Sequence, residues 1–373
     1  MRIAYLCKRR YMSKDVIVDR YARLYEIPRQ LALLGHDVLG FCLGYRGEPE
    51  GRHDEGDVAE GRLRWSARSA SLGKPGALVA YPMRVLAQLR DFGPDLLIGA
   101  SDIPHVVLTG WLARRLRLPY VVDLYDNFEG FGQARIPGLV PALRRATRNA
   151  QLVMTTSEPL RQLVVDTYGA RGAVVAIPSS VDKSVFRAMG REASRANLGL
   201  PLDGLLVGTA GGLYRDKGVE ALYQAWEQLA TRRPDVHLVL AGPEDPRLPS
   251  PKHERVHHLG HLEHSRVAKL FSALDVGVIS VLDTTFGRYC FPQKAYEMLA
   301  CELPVVAANV GAMKTLFSND PDLLFEASDG SALATAIERQ LVARHRPLIE
   351  IDDWSQLVGR IEPELRRLRA VQS

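Results

Sequence analysis

The sequence has no long hydrophobic run and few cysteines. No apolar stretch reaches the roughly 18 residues that a membrane-spanning helix needs. The first 15 residues become basic after a few apolar positions, which is the reverse order of a secretory signal. The four cysteines are scattered without a CxxC pair, so they indicate neither a metal site nor a disulfide framework. We therefore expect a cytoplasmic protein with reduced thiols, no bound metal and no cofactor.

The composition also excludes several classes of protein. With 46% hydrophobic and 24% charged residues, the chain is neither disordered, collagen-like nor a small disulfide scaffold. Its 373 residues suggest two domains. The positive charge lies in the first half, where residues 1–175 carry 25 Lys and Arg against 18 Asp and Glu. An anionic partner and a merely solubilising Arg-rich surface both fit this asymmetry.

The hydrophobic pattern predicts two successive series of alternating strands and helices. Apolar strands without polar alternation, separated by helical segments, indicate parallel sheets covered on both faces. The polar stretch Pro178–Gly204 interrupts the rhythm and is interpreted as an interdomain connection. We expect an N-terminal domain over residues 1–178, to which a helix at about 354–373 returns, and a C-terminal domain over 179–350.

A glycine-rich turn, Gly208–Gly218, follows the first strand of the second series and runs into a helix. Glycines allow backbone N–H groups to approach an anion, and a helix N-terminus adds partial positive charge. Lys217 adds a full charge in the same place. The turn is neither GxGxxG nor a Walker A motif, so it suits a diphosphate in another setting. An ordinary tight turn with a surface lysine is the alternative.

A second segment, Phe286–Ala308, joins an aromatic loop to a helix that carries Lys294 and Glu297. The two side chains share one face of the helix because they are three residues apart. A glutamate in this position can accept hydrogen bonds from two ribose hydroxyls. A local Lys–Glu pair on a surface helix is the alternative.

In the first half, Asp126 follows a strand at the edge of the sheet where ligands of open α/β folds bind. A carboxylate there could orient an acceptor hydroxyl or accept its proton, and capping of the next turn is the alternative. Histidines occur at irregular spacing, which predicts exposed loop residues and no metal site. They are His105, His253, His257, His258, His261 and His264.

Two basic amphipathic segments, Trp111–Leu118 and Pro141–Arg148, could lie on an anionic membrane surface. Packing on the sheet with an Arg-rich outer face is the alternative. Basic residues are not interleaved with aromatic ones, so we expect no nucleic-acid partner.

Taken in order, several motifs resemble those of the retaining GT-B glycosyltransferases of group 1, the family 4-like enzymes. The match covers roughly residues 170–315, whereas the N-terminal half matches in layout. AIPSSVDKSVF resembles the IPNGVDxxxF linker, GGLYRDKG the GRLxxxKG turn, and LVLAGPED the LxxxGxGP strand. VHHLGHL resembles the VxFLG strand, and FPQKAYEMLACELPVVA the helix that ends in EAMACGxPVV.

The resemblance implies two Rossmann-like domains facing across a cleft. It also implies transfer of a sugar from a nucleotide-diphosphate sugar, with retention and without metal, to a sugar or lipid-linked acceptor. Polysaccharide, lipopolysaccharide or glycolipid synthesis on the cytoplasmic face of the inner membrane would be the setting. The implied catalytic residues are Asp126, Lys217 and Arg288. The implied donor-binding residues are Gly211, Gly212, Arg215, Lys217, Pro243, Glu244, Tyr289, Cys290, Phe291, Lys294 and Glu297. The implied acceptor-binding residues are Lys8, Arg9, Arg10 and Asn127.

The sequence departs from the family pattern at four places. Gly212 stands where the family has an arginine, so Arg215 or Arg288 would have to supply the missing charge. Tyr289 stands where the first of two paired glutamates is expected, and Asp126 lies in the region of the family's histidine. The opening loop has three basic residues in place of a glycine pair. These departures keep two alternatives open: a non-catalytic binding or partner subunit, and a sugar-nucleotide epimerase of the same architecture.

Overall fold

A computed structural model describes residues 1–11, 14–70 and 75–370 of the chain. The fold divides into two compact units. Unit 1 comprises residues 1–179 together with the segment that begins at Trp354, and unit 2 comprises Ser180–Asp353. The predictions that concern residues 12–13, 71–74 and 371–373 lie outside the described residues.

Unit 1 is built on an eight-stranded sheet. Its strands and those of a small hairpin are β1 (Arg2–Lys8), β2 (Arg10–Tyr11), β3 (Lys14–Asp15), β4 (Asp37–Gly44), β5 (Gly51–Val58), β6 (Gly61–Ser69), β7 (Leu96–Ala100), β8 (Tyr120–Leu124), β9 (Leu152–Thr155) and β10 (Ala173–Ala176). Its helices are α1 (Arg23–Leu33), α2 (Pro75–Phe92), α3 (Ile103–Leu116), α4 (Leu139–Arg148) and α5 (Glu158–Leu163), followed by the returning helix Trp354–Ala370.

The strand order of this sheet is β10-β9-β8-β7-β1-β4-β6-β5. The chain leaves β1 toward β4 on one side and later adds β7 on the other, so a topological switch point lies between β1 and β7. Ligands of open α/β sheets bind at such a point, outside the carboxyl ends of the strands. All pairs are parallel except β5 with β6, which is antiparallel. The prediction of a purely parallel sheet is therefore wrong at this edge.

A buried ion pair ties unit 1 together. Arg23, at the start of α1, donates to both oxygens of Asp123 in β8, with distances of 2.6–3.0 Å. Its fourth bond, from Nη1, goes to the carbonyl oxygen of Ile177 at 2.6 Å. Both side chains are fully buried. The carboxylate compensates the arginine's desolvation, and the pair fixes α1 to the sheet.

The returning helix Trp354–Ala370 completes the core of unit 1. Trp354, Leu357, Val358, Ile361 and Leu365 belong to the same buried cluster as residues of β1, β4 and α1. This apolar stripe explains why the segment is helical and why it joins the first unit.

Unit 2 holds a six-stranded, wholly parallel sheet in the order β13-β12-β11-β14-β15-β16. Its strands are β11 (Leu205–Ala210), β12 (Val236–Ala241), β13 (Val256–His258), β14 (Val276–Ile279), β15 (Val305–Ala308) and β16 (Leu324–Phe325). Its helices are α6 (Arg191–Leu198), α7 (Val219–Arg232), α8 (His264–Ala273), α9 (Lys294–Ala300), α10 (Gly311–Leu316) and α11 (Gly330–Ala343), so the returning helix is α12. The switch point of this sheet lies between β11 and β14. The fold class predicted from the sequence, α/β with two Rossmann-like parallel-sheet units, is confirmed.

The polar stretch interpreted as a connection contains helix α6, which is a correction. Arg195 on this helix donates to Asp275 at 2.7 Å, and the same carboxylate accepts from the backbone N–H of Leu206 at 2.8 Å. Arg191 adds a third bond to Asp275 at 2.9 Å. The segment is thus an integral part of unit 2, held by buried charge rather than by a broad apolar face.

Within the described ranges, none of the helices is both long and apolar enough to cross a membrane. The same residues bring together no group of three or more His, Cys, Asp or Glu side chains that could hold a metal ion.

Candidate functional site

Two glycine turns form the base of the candidate site in unit 2. Gly211 follows β11 with a φ of +117°, and Gly242 follows β12 with a φ of +130°. A Cβ built on Gly242 would lie only 1.8 Å from the carbonyl oxygen of Gly211, so no other residue fits there. Hydrogen bonds from Gly211 N to Ala241 O (2.9 Å) and from Leu213 N to Pro243 O (2.8 Å) join the turns. The backbone at the switch point is therefore fixed.

Lys294, the first residue of α9, lies against this backbone. Its Nζ donates to Thr209 Oγ1 at 3.3 Å, and a Cβ built on Gly211 would be 3.6 Å from the same nitrogen. Burial lowers the pKa of Lys294 to about 8; nearby Glu297 opposes this shift and Lys217 adds to it. Lys294, Gly211 and Glu297, which the sequence motifs place in one donor site, are thus close together in the structure.

Glu297 lies one helical turn after Lys294. Burial raises the pKa of its carboxyl to about 7, and the positive charge of Lys294 limits the rise. The pKa values of Lys294 and Glu297 are thus both shifted toward neutrality, on adjacent turns of one helix. Such shifted pairs are typical of a ligand site, because the charge of a ligand can stabilise the ionised form of one partner.

Lys217 is exposed, at the end of a short helical turn (Arg215–Lys217) before α7. Its Nζ lies 4.1 Å from the centroid of the Phe286 ring, a cation–π contact between the glycine turn and the loop after β14. The ammonium groups of Lys217 and Lys294 therefore both lie beside the glycine-rich turn after β11.

The two arginines expected to supply the family's missing charge are already paired with carboxylates. Arg215 lies 3.1 Å from Glu220, and Arg288 lies 2.5 Å from Asp283; both guanidinium groups are exposed. The ammonium of Lys294, by contrast, contacts a neutral hydroxyl. In this structure the cation beside Gly211 is a lysine from α9 and neither arginine.

The remaining donor candidates line the edges of these turns. Gly212 faces the ring of Tyr214, and Pro243 is exposed. The Glu244 carboxylate accepts from Ser250 N at 3.2 Å and lies 3.6 Å from His258 Nε2. Glu244 is thus partly committed to its own loop.

The loop between β14 and α9 is anchored by close backbone packing. A Cβ on Gly311 would meet the carbonyl oxygens of Gly287 and Arg288 at 2.6 Å. Cys290 is buried, with its thiol donating to Gly287 O at 3.7 Å, so a contact of this residue with the donor would come from its backbone. Tyr289 is half-buried, and the ring of Phe291 packs 4.6 Å from that of Tyr296.

In unit 1, polar residues gather at the carboxyl ends of β1, β7 and β8. Lys8 Nζ donates to Tyr125 Oη at 2.7 Å and lies 5.5 Å from the centroid of the Phe131 ring. Its backbone N–H donates to Ser101 Oγ at 2.7 Å. Burial lowers the pKa of Lys8, and the carboxylates of Asp102 and Asp126 oppose the shift.

Asp126 and Asn127 are both buried beside this cluster. Asp126 Oδ1 accepts from the backbone N–H of Asn127 at 2.8 Å, and Asn127 Oδ1 accepts from that of Glu129 at 3.1 Å. Asn127 thus caps the short helical turn that follows, and its part in acceptor binding stays a prediction.

Two other acceptor candidates are already paired with carboxylates. Arg9 is 2% exposed, donates to Asp15 at 2.8 Å and also bonds to Pro49 O. Arg10 pairs with Glu48 at 3.1 Å. The basic opening loop is therefore a hairpin closed by internal ion pairs, and of its three cations Lys8 remains at the sheet edge.

The sequence analysis missed the central residues of this cluster. Asp102 caps α3 and holds His105 Nδ1 at 2.6 Å, and both residues are 1% exposed. His105 is therefore buried in a helix, which contradicts the exposed loop position expected for it. The signal that could have found Asp102 is the one that selected Asp126, namely an aspartate just after a buried parallel strand.

Comparison with protein-family models gives two matches. Residues 204–342 match the model described as "Glycosyl transferases group 1", and residues 22–179 match the "Glycosyl transferase 4-like domain". Each match falls within one of the two units.

Two curated relatives are similar over most of the chain. A putative teichuronic acid biosynthesis glycosyltransferase, TuaC of Bacillus subtilis, is 26% identical over 75% of this chain and 68% of its own. D-inositol 3-phosphate glycosyltransferase 2 of Catenulispora acidiphila is 29% identical over 73% of this chain and 69% of its own.

Solved structures share the fold at low identity. Sucrose-phosphate synthase from Thermosynechococcus elongatus has a TM-score of 0.73 at 21% identity and covers 99% of both chains. Anabaena HepE in complex with UDP has a TM-score of 0.70 at 17% identity and covers 98% of this chain and 100% of its own.

Proposed function

Because this chain belongs to the group 1 glycosyltransferases, we propose that it transfers a sugar from a nucleoside diphosphate donor to an acceptor hydroxyl with retention of configuration. The donor would bind in unit 2, and the diphosphate leaving group would be stabilised without metal. The setting would be cell-surface polysaccharide, lipopolysaccharide or glycolipid synthesis, as the name of the Bacillus relative suggests for that protein.

One observation carries the proposal: Lys294, with Glu297 one helical turn later, lies against the Gly211 turn at the switch point of unit 2. An ammonium 3.6 Å from the position of a Cβ on Gly211 can reach a phosphate that the glycine backbone contacts. Lys217 would add a second charge, and the N-terminus of the 14-residue helix α7 a partial one. These charges would offset the negative charge that develops on the leaving diphosphate.

Glu297 would hold the donor ribose. An ionised carboxylate accepts two hydroxyl hydrogen bonds, and the ammonium of Lys294 keeps part of the Glu297 population ionised near neutral pH. Asp126 would orient or deprotonate the acceptor hydroxyl, since it lies after β8 beside Lys8.

Attachment to an anionic membrane from the cytoplasmic side is part of the proposal. Helix α4 buries Leu143 and Thr147, while Arg145 and Arg148 are exposed. On α3, the guanidinium of Arg115 lies over the half-buried Trp111 ring at 5.3 Å. Such Arg-rich outer faces attract anionic lipids.

The donor site is tested by thermal shift with UDP, GDP, ADP, CMP, dTDP and their sugar conjugates. A ligand at about 100 times its dissociation constant stabilises a protein by about 2.7 kcal/mol, which is a visible shift. We expect one diphosphate to stand out and to identify the base. A flat response to the whole panel would argue against the donor site.

Retention and metal independence need a second experiment. The anomeric configuration of the product, read from its proton NMR coupling, should match that of the donor. EDTA should leave the rate unchanged; a rate restored only by added Mg²⁺ or Mn²⁺ would refute metal independence. A binding subunit would show neither transfer nor donor hydrolysis, and an epimerase would release an epimer without any acceptor.

A further inference from the structure

The polar cluster at the carboxyl edge of unit 1 is assembled from five separate segments. Lys8 ends β1, Tyr45 follows β4, and Asp102 follows β7. Tyr125 follows β8, and Gln133 lies in a short helical turn, Gly132–Arg135. Residues so distant in sequence meet here because the ends of parallel strands share one edge. We call this group the edge cluster.

Asp102 is the centre of the edge cluster. Its Oδ1 accepts from the backbone N–H of His105 at 3.0 Å and lies 2.6 Å from His105 Nδ1. Its Oδ2 accepts from Tyr45 Oη at 3.2 Å and from Gln133 Nε2 at 3.5 Å. The preceding Ser101 has a φ of +83°, a strained conformation for a residue with a side chain. The surrounding fold therefore holds Asp102 in place at an energetic cost.

Two polar atoms, one in the edge cluster and one on the histidine bonded to Asp102, are buried and have no hydrogen-bond partner among the described residues. They are Gln133 Oε1 and Nε2 of His105, a residue that is 1% exposed. Buried polar atoms normally have a partner, so orphaned ones point to a ligand or another unobserved group. Gln133 as a whole residue is half-buried, although its Oε1 is shielded from solvent.

The charge of the edge cluster does not suit a phosphate. One ammonium, that of Lys8, faces the carboxylates of Asp102 and Asp126 and donates to Tyr125 Oη. The neighbouring cations Arg9 and Arg10 are neutralised by Asp15 and Glu48. A phosphate entering here would meet two carboxylates against the single ammonium of Lys8.

The donors and acceptors of the edge cluster instead match a hydroxyl-rich neutral ligand. Carboxylate and amide oxygens accept from hydroxyl groups, and the amide N–H and ammonium donate to them. The rings of Tyr125 and Phe131, 6.2 Å apart, supply an apolar surface on which a sugar ring can rest.

We propose that the edge cluster binds the acceptor as an uncharged sugar unit and discriminates against phosphorylated sugars, with Gln133 as a specificity-determining residue. This inference rests on the proposed glycosyl transfer. It separates the chain from relatives and neighbours whose names specify a sugar phosphate, such as the D-inositol 3-phosphate glycosyltransferase and the sucrose-phosphate synthase.

The test is a transfer assay with matched acceptor pairs, each neutral sugar beside its phosphate ester. Glucose, fructose, N-acetylglucosamine and myo-inositol are offered at high concentration with a labelled form of the donor identified by thermal shift. We expect transfer to at least one neutral sugar, with kcat/KM about tenfold or more above that of its phosphate ester.

Equal or better use of a phosphate ester would overturn the proposal. Transfer to no acceptor in the panel would also overturn it, because a pocket that recognises an uncharged sugar by its hydroxyls must use one at saturation. In either case, donor binding and slow donor hydrolysis would leave the proposed glycosyltransferase function standing. Loss of donor binding would refute that function instead.

Variants sharpen the assignment. Gln133→Leu should raise the KM for the neutral acceptor about 3- to 10-fold without changing the donor KM. Gln133→Lys should shift the ratio of phosphorylated to neutral acceptor use upward by about tenfold, because it adds a cation beside Asp102. The matched control is Gln162→Leu, since Gln162 is an exposed residue of α5 whose side chain bonds to Arg161 and Asp166 nearby in sequence. An unchanged acceptor KM in Gln133→Leu would remove Gln133 from the acceptor site.

Discussion

Each unit places one partly buried lysine at the switch point of its sheet, and the two lysines differ in their neighbours. Lys294 of unit 2 contacts a threonine hydroxyl and a glycine turn and has one carboxylate, Glu297, nearby. Lys8 of unit 1 contacts a tyrosine and lies between two carboxylates. The same topological position therefore makes a candidate anion site in unit 2, where Lys217 adds a second ammonium, and a site with two carboxylates to one ammonium in unit 1.

The two units also differ in the buried ion pair of each core. Unit 1 buries Arg23 against Asp123, and unit 2 buries Arg195 against Asp275. Asp123 has a single arginine partner, whereas Asp275 also accepts from Arg191 and from a backbone N–H. Removal of one arginine should therefore expose more uncompensated charge in unit 1 than in unit 2.

The largest effect is expected from Arg23→Met, which leaves Asp123 buried without its partner. Breaking a buried pair in this way costs about 3–5 kcal/mol of unfolding free energy. Arg195→Met should cost less because Asp275 keeps two partners. Calorimetry that resolves the two units would show the loss in the matching transition. The control Arg161→Met removes an exposed pair with Glu158 and should change stability by no more than about 0.5 kcal/mol. Equal losses in Arg23→Met and Arg161→Met would contradict the comparison.

The next effect concerns the donor. Lys294→Met should weaken nucleoside diphosphate binding by about 1.5–3 kcal/mol, or roughly 10- to 100-fold, because it removes a charged contact beside Gly211. Isothermal titration calorimetry measures it directly. Lys269→Met is the control, since Lys269 is a half-buried lysine of unit 2 whose ammonium bonds to Asn197. If both variants bind equally well, Lys294 is not a phosphate contact.

The pH dependence of donor binding should have two limbs. Lys294 loses its proton as pH rises through about 8, so affinity should fall above that pH. Glu297 gains a proton as pH falls through about 7, so its bonds to the ribose weaken below that pH. The affinity maximum should thus lie between about 7 and 8, and a flat profile across this window would contradict it.

Single variants assign the limbs of that profile. Lys294→Met should remove the alkaline fall, and Glu297→Gln should flatten the acid one. Any acid fall that survives in Glu297→Gln comes from protonation of the nucleotide's own terminal phosphate, whose pKa is about 6.

The smallest effect is expected from Lys8→Met. Lys8 donates one hydrogen bond within the edge cluster. Its replacement should therefore cost about 0.5–1.5 kcal/mol in acceptor binding and nothing in donor binding. A split between acceptor KM and donor KM in steady-state kinetics checks this. Lys14→Met, an exposed lysine of the same unit, should change neither constant. A changed donor KM in Lys8→Met would break the division of tasks between the units.

Much of the fold was readable from the sequence where apolar runs are dense. Strands β8 and β9 and helices α4 and α9 belong to the two alternating series that the sequence predicted, and each is a compact apolar or amphipathic segment between turn residues. Two segments were not predicted because they lack a dense run of apolar residues. β5, which reads GRHDEGDV, carries almost no apolar residues at the sheet edge, and α6 is held by the Arg195–Asp275 pair.

The candidate sites were predictable as groups but not as contacts. The motifs placed Gly211, Lys217, Lys294 and Glu297 in one site, and the structure brings them together. Only the three-dimensional structure shows that Arg9 and Arg10 are neutralised by Asp15 and Glu48, or that Asp102 joins Lys8 across 94 residues of sequence. Ion pairs between distant residues leave no local pattern, so charge counted along the chain overstates the charge available to a ligand.

The return of α12 to unit 1 has a consequence for synthesis on the ribosome. Unit 2 is one continuous segment, Ser180–Asp353, whereas the core of unit 1 lacks Trp354, Leu357 and Leu365 until the last helix is made. Chains grow from the N-terminus, and domains fold as units during synthesis. The second unit can therefore finish folding on the nascent chain first, while the first unit, although begun earlier, keeps an open apolar groove until α12 has been made.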